Sequence, residues 1–435
     1  MSDTTVIELV DSEILACGAD GRLLREPGFA LLGSGGIDTG EAAFNQAWLH
    51  PQRSFNQFWQ RLSLAPLAGG NRFARHYADL AYAQLSQLHR QLGAPAEMLF
   101  AIPGSFSRDQ LAILLGLANA LPIKTLGLVD AAVAAASTLD GIALDNSEEE
   151  LLYLDIQLHQ AVLTRLSGGA QVARQTVEVL PDAGLHHFYS SWAQYIANLF
   201  IREYRYDPLH TAAGEQQLFS KLPGILSALA SSPETLLELT TPQGDFRLSL
   251  QRGALLESSL PRIARLRELI SRLGVKGPLV ASHRLGKLPG LAALLDARLL
   301  DERQAIDACR RAAAAIHGEG DGGVDFITSL PRQTTGGTAV HFPSTTALPP
   351  PTHLLHGHLA WPLRGELGIE IGDGGVLASR DPQAPLLIRT AGGRTWLEHS
   401  RYDVVVEGDR DNLRSGDLIR VADCELRLIE AAAEN

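Results

Sequence analysis

The sequence predicts an α/β protein followed by a small all-β domain. Three observations lead there. Up to residue 330, short apolar runs of strand length alternate with segments whose apolar residues recur at helical spacing. Residues 331–352, PRQTTGGTAVHFPSTTALPPPT, are rich in Pro, Thr and Gly and read as a linker. Beyond it, HGHLAWPL, LGIEIGDGG, LLIRTAGG, DVVVEGD, LIRVAD and CELRLIE alternate short apolar runs with turn residues over 353–430. The expected division is 1–330, a linker at 331–352, and 353–435; a chain of 435 residues suits two or three domains.

Taken in order, VIELV (6–10) and ILAC (14–17) form a strand pair, with a turn at Ala19-Asp20-Gly21 before RLL. Residues 40–95 are mostly helical in pattern, and HYADLAYAQLSQLHRQLG carries its stop at Gly93. LFAIP (99–103) is a buried strand. Ser107 then caps a helix with Leu111, Leu114, Leu115, Ala118 and Leu121 on one face, ended by Pro122. DAAVAAAS (130–137) is a small-residue helix that admits close neighbours, and Glu148-Glu149-Glu150 is a solvated edge. LLYLDIQLHQAVLTRLSGG (151–169) reads as strand, tight reversal, strand, with Asp155 at the end of the first. Helices over 186–230 and 252–273 enclose a hairpin, 236–251, turning at Pro242-Gln243-Gly244. The strand GPLVAS (277–282), a helix from Gly290, and DERQAIDACRRAAAAIHG, stopped at Gly318, close the series.

The bulk numbers exclude several classes. Hydrophobic residues at 45% and charged residues at 20% fit a globular protein. A net charge of −12 argues against nucleic acid, which demands a basic surface. Cys17, Cys309 and Cys424 are scattered and odd in number, which points to a reducing compartment without a disulfide framework. No run of about 18 apolar residues predicts a membrane span. MSDTTVIELVDSE has neither the basic start nor the apolar core of a signal peptide, so the expected location is cytoplasmic.

The element order up to residue 330 carries a resemblance. An opening strand pair is followed by a helical insertion, then AIPGSFSRDQ with its helix, VDAAVAAAS, a hairpin starting YLD, helices around an inserted hairpin, and LVASHRLGKLP. This resembles the nucleotide-binding domain of the seventy-kilodalton heat-shock chaperones, within the actin and sugar-kinase superfamily, over about three-quarters of the chain. AIPGSFSRDQLAILLGLANALPIKTLGLVDAAVAAAS (101–137) is its best piece, with Pro103, Phe106 and Gln110 on matching positions. The resemblance implies a two-lobed actin-like ATPase fold.

It also implies ATP between the lobes, gripped by two glycine-bearing hairpins whose backbone N–H groups reach the phosphates, with carboxylates holding Mg²⁺. Where the first hairpin should resemble Asp-Leu-Gly-Thr-Thr, this chain has Glu8-Leu9-Val10-Asp11-Ser12. The second should resemble Asp-Leu-Gly-Gly-Gly-Thr and reads Asp155-Ile156-Gln157-Leu158-His159-Gln160. The adenosine motif, near Gly-Gly-Ser-Thr-Arg-Ile-Pro, reads His283-Arg284-Leu285-Gly286-Lys287-Leu288-Pro289. The glycines are lost at three contact sites, and Asp11 would repel a polyphosphate unless a metal lay between. The expectation is therefore a pseudo-ATPase acting as a protein-binding scaffold or adaptor, with no cofactor. Two alternatives stay open. One is an ATP-dependent chaperone that binds ATP and Mg²⁺ through Glu8, Asp11 and Asp155, with Lys287 over the adenine; the other is an actin-like assembly factor.

The last 75 or so residues have a resemblance of their own. GELGIEIGDGG, LLIRTAGGRTWLEHSRYDVVVEGD and above all LRSGDLIRVADCELRLI (413–429) look similar to a forkhead-associated β-sandwich. Such domains read phosphothreonine through an arginine after a glycine. Here Gly372 is followed by Asp373, so packing or protein binding is the expected role, with Ser379-Arg380 and His399-Ser400-Arg401 as other possible contacts. His353, His356 and His358 lie close together with His341 upstream, but 356 and 358 share one strand face while 353 points elsewhere and no cysteine is near, so no metal is expected. LLGSGGIDTG (31–40) and GEGDGGVDF (318–326) lack the G-K-[ST] of a P-loop and read as loops; His186-His187 reads as packing. IREYRYDPLHTAAGEQQLFSKLP (201–223) reads as two packed helices joined at Asp207-Pro208, with a partner surface as the alternative.

Overall fold

A computed structural model describes residues 4–139, 149–241, 244–317 and 324–333, and 351–429 apart from a few turn residues. The chain divides into two compact units, Met1–Gly336 and Gly337–Asn435. The first is α/β.

Two six-stranded sheets organise the first unit; five consecutive strands in each follow the same order and directions, and the sixth is added at opposite ends. In one, Thr5–Glu8 pairs antiparallel with Ile14–Cys17, which pairs antiparallel with Leu23–Glu26. On its other side Thr5–Glu8 runs parallel to Glu97–Ile102, and the parallel series continues through Lys124–Asp130 to Phe326–Ile327. In the other sheet, Glu150–Ile156 takes the central place. It pairs antiparallel with Gln160–Ser167, then Gln171–Pro181 and Ser329–Pro331, and parallel with Leu279–Ala281, then Ala297–Leu299.

The central strands are apolar almost throughout because both faces are covered. Successive side chains point to opposite faces. Val6, Leu99, Leu151 and Tyr153 enter a core shared by both sheets, while Ile7, Phe100, Leu152 and Leu154 enter separate outer cores. The shared core is built around the helix Ala131–Ser137, every residue of which is buried. Its alanines let the helix Gln304–Arg311 pack beside it, contributing Ala305, Ile306, Ala308 and Cys309. Helices Leu185–Tyr204, Ala212–Ser231 and Leu260–Leu273 cover the outer face of the second sheet, with the hairpin Glu234–Thr241 and Gly244–Gln251.

Several expectations change on contact with the structure. Residues 40–95 are not mostly helical: the one long helix is Tyr77–Gln91, preceded by the short turns Glu41–Phe44 and Pro51–Arg53. Pro51, Pro66 and the pair Gly69-Gly70 interrupt the pattern, and Phe58, Trp59 and Leu62 enter the core from irregular backbone. LLGSGGIDTG is not a plain loop but an antiparallel hairpin, Ala30–Leu32 with Ile37–Thr39. The helix from Gly290 is a single turn, Leu291–Leu294. Lys124–Asp130 is a strand leading straight into the alanine helix. Pro331, Arg332 and Gln333 are bonded to the second sheet and to Ser137. The turn at 242–243, Gly318 and most of 331–352 lie outside the described residues.

The described residues of the second unit form a five-stranded and a four-stranded sheet, all antiparallel. They share a core that includes Leu354, Ile369, Leu386, Ile388, Ile419 and Leu428. Among the described residues, no helix is long and apolar enough to cross a membrane.

Candidate functional site

The two central strands end at hairpins that face each other. Thr5–Glu8 delivers Glu8, followed by Asp11, Ser12 and Glu13; Glu150–Ile156 delivers Asp155, followed by the reversal Gln157–His159. A third segment, the short 3₁₀ turn His283–Lys287, follows the strand that runs parallel to Glu150–Ile156. The expected residues Glu8, Asp11, Asp155 and Lys287 all belong to this meeting point.

Arg284 lies at its centre, with a fully buried side chain. Its Nη1 donates to Glu8 Oε1 at 2.9 Å and lies 3.7 Å from Asp155 Oδ1. Its Nε and Nη2 donate to the Glu13 carbonyl at 3.2 and 2.8 Å. Ser282 Oγ donates to Asp155 Oδ1 at 2.5 Å. One guanidinium therefore neutralises carboxylates from both sheets. Burial pushes the Asp155 carboxyl up, and Arg284 and Ser282 act against that shift. Burial lowers the Arg284 pKa, but Glu8 and Asp155 more than offset it and the guanidinium is held charged.

Asp11 does for the second hairpin what an external anion would do. Its Oδ1 accepts the Leu158 N–H at 2.8 Å, and Ser12 Oγ donates to the Ile156 carbonyl at 2.6 Å. Burial pushes the Asp11 carboxyl up to about 6, and the Asp155 charge adds to this against the Leu158 hydrogen bond. The carbonyls of Gln157, Leu158 and His159 accept the N–H groups of Leu185, His186 and Asp182. Gly184 makes this wrapping possible, since a Cβ there would sit 2.4 Å from the Gln160 nitrogen.

Lys287 Nζ lies 2.5 Å from Glu13 Oε1, and His283 Nε2 2.9 Å from Glu13 Oε2. Burial works against ionisation of Glu13, but these two partners prevail and hold it at about 2. Lys287 and Glu13 also line a cavity of about 310 Å³ together with Trp48 and Phe219, whose rings stack at 4.1 Å.

Sequence reasoning placed Arg284 only as an obstacle and passed over Glu13 and Ser282. The available signal was charge balance between motifs: an Arg and a Lys in the third segment against Glu8, Glu13 and Asp155 in the other two. It also missed a histidine cluster at the second hairpin, where His159, His186 and His187 lie with ring centroids 5.1–5.8 Å apart. Among the described residues no three His, Cys, Asp or Glu are arranged to hold a metal ion.

In the second unit, the candidate phosphate contacts bond locally. Ser379 Oγ accepts the Asp381 N–H, Arg380 Nη1 donates to the Arg364 carbonyl, and His399 Nε2 meets the Ala384 carbonyl. His353 pairs with Thr352 and His356 with the Glu425 carbonyl; Asp373, His341 and His358 lie outside the described residues. The helix pair at 201–223 is Leu185–Tyr204 and Ala212–Ser231, with Leu218, Phe219 and Leu222 in the core. No protein-family model matches the chain, and no curated protein matches it.

Proposed function

We propose that the chain is a pseudo-ATPase of the two-lobed actin-like, heat-shock-chaperone class, acting as a protein-binding scaffold or adaptor in the cytoplasm. The observation that carries this reading is the Glu8–Arg284–Asp155 bridge. A triphosphate with Mg²⁺ would need those carboxylates for the metal, and a guanidinium already holds them. Asp11 adds a negative charge at the hairpin N–H that would otherwise meet phosphate. The residues present therefore do not fit the nucleotide.

Further features support the reading. The five-strand run common to the two sheets suits two lobes descended from one pattern, and the paired antiparallel sheets over one core suit a forkhead-associated-like sandwich. Cys17, Cys309 and Cys424 are unpaired, as in a reducing compartment. With its opening bridged from within, the first unit presents one fixed shape to a protein partner.

Calorimetry of the full chain with millimolar ATP or ADP and Mg²⁺ tests this. The expected result is no saturable heat. Saturable binding that vanishes with Asp155→Ala, together with hydrolysis, would instead establish an ATP-dependent chaperone.

A further inference from the structure

The tips of the same two hairpins line a second cavity, of about 280 Å³. Its wall carries a chain of fixed amides. Gln60 Nε2 donates to Gln160 Oε1 at 2.9 Å, Gln160 Nε2 to Gln157 Oε1 at 2.7 Å, and Gln157 Nε2 to Ser105 Oγ at 3.3 Å. Among the described residues this leaves Gln60 Oε1 free to accept and the Ser105 hydroxyl free to donate.

Two charges line the same cavity, and each lacks an ion-pair partner among the described residues. Asp11 is 5% exposed, with one oxygen on the Leu158 N–H and no basic side chain within ion-pair distance. Arg61 is exposed; its backbone N–H is bonded to the Gln57 carbonyl, and its side chain makes no hydrogen bond among the described residues. Arg284 acts on Asp11 only from beyond ion-pair distance; a buried carboxylate with no directly paired cation is costly, and a guanidinium is the side chain best shaped to receive a carboxylate. A few fixed polar groups of both signs, set among apolar walls such as Trp59 and Phe106, are the usual make-up of a small-molecule site.

We propose that this cavity binds a free α-amino acid, its ammonium against Asp11, its carboxylate against Arg61 and its side chain along the glutamine amides. A nucleotide does not suit the place, because its phosphates would meet Asp11. A cation alone would leave Arg61 unused, and an anion alone would be repelled by Asp11. The zwitterion satisfies both.

The test is calorimetry and thermal shift of the full chain with glycine, L-glutamine and L-lysine at millimolar concentration. N-acetyl-glutamine and glutamine amide, each lacking one charge, are the controls. At least one free amino acid should give saturable heat, and blocking either end should weaken it about tenfold or more. Arg61→Gln should weaken the free amino acid but not its amide form, and Asp11→Asn should weaken the free amino acid but not its acetylated form. Arg61 is exposed, so its variant keeps the fold and reads the site directly. Absence of heat from all three amino acids would overturn the proposal, as would unchanged binding to Arg61→Gln. Equal binding of a peptide blocked at both ends would also overturn it, giving the cavity to a partner's chain instead. ATP titrated separately reads the pseudo-ATPase reading, so the two can fail independently.

Discussion

Arg284 shows how much one buried residue can hold. Removing it leaves Glu8 and Asp155 buried with no cation within ion-pair distance among the described residues. Breaking a buried pair in this way typically costs about 3–5 kcal/mol, mostly the penalty of the orphaned charges. Arg284→Met should therefore lower the urea midpoint sharply, and adding Glu8→Gln should recover part of the loss. A double variant no more stable than Arg284→Met would show that the ion pair is not the source. Asp11 behaves in the opposite sense. Its folded pKa lies above the unfolded value, so its contribution to stability is fully present below about pH 4. That contribution is lost as pH rises to about 6, for a difference on the order of 3 kcal/mol. Asp11→Asn keeps the acceptor for Leu158 and removes the charge. The variant should match the wild type near pH 4 and exceed it above pH 6, as read by denaturation at both pH values; an equal gap at the two would sink the argument.

Elements whose signals are local were legible in the sequence. Ser107 caps the helix Arg108–Ala120 as expected, accepting the Gln110 N–H at 3.2 Å while Gln110 reaches back to the Ser107 N–H. The apolar runs at 6–10 and 14–17 and the hairpin at 151–169 form the expected strand pairs, Thr5–Glu8 with Ile14–Cys17 and Glu150–Ile156 with Gln160–Ser167. Elements set by distant contacts were not. Nothing near Gln171–Pro181 announces a strand eleven residues long, since five of its positions are polar and its edge is completed by Ser329–Pro331, over 140 positions away. The site divides the same way. Asp155 at a strand end is a local signal, whereas its bond to Ser282 joins residues 127 positions apart. The helix starts at Ser107 and Gly184 turn this contrast into a prediction. Ser107→Ala removes a cap, worth about 1 kcal/mol. Gly184→Ala drives a methyl into the Gln160 and His159 backbone, which cannot give way as a flexible side chain would. Its cost should be the larger, about 1–3 kcal/mol or more. Equal urea midpoints for the two variants would mean that the hairpin tip yields freely.

At the scale of the whole molecule, charge composition conceals where acid acts. A formal charge of −12 suggests carboxylates, but the groups that should respond first are the histidines at the second hairpin. Burial, with His186 and His187 alongside, lowers His159 to about 3, and burial with His187 lowers His186 to about 4. Around them stand Asn56, which meets His159 Nε2 at 3.1 Å, Asp182, which is 3.7 Å from His187, and the cations Arg61 and Arg262. The His159 Nδ1 is buried and makes no hydrogen bond with the described residues, so a proton added there meets no acceptor. The unfolded chain takes up these protons from about pH 6.5 downward, while the folded one resists. Their stabilisation is thus complete above about pH 6.5 and declines as pH falls towards 4. Glu13 joins only later, because its folded pKa of about 2 is exceeded by the unfolded value near 4.3. Asp11 works against this trend over part of the range, but as a single group facing several. Since His159 ties the second hairpin to Asn56, beyond the first sheet's opening strands, its protonation should loosen the meeting point that Arg284 holds. His159→Gln keeps a polar group near Asn56 and cannot take up a proton. Its urea midpoint should fall below the wild type at pH 7.5 and converge with it as the pH approaches 4.5, because only the wild type loses the histidine's share. A constant gap across that range would remove the cluster as the cause of acid sensitivity and return it to the carboxylates.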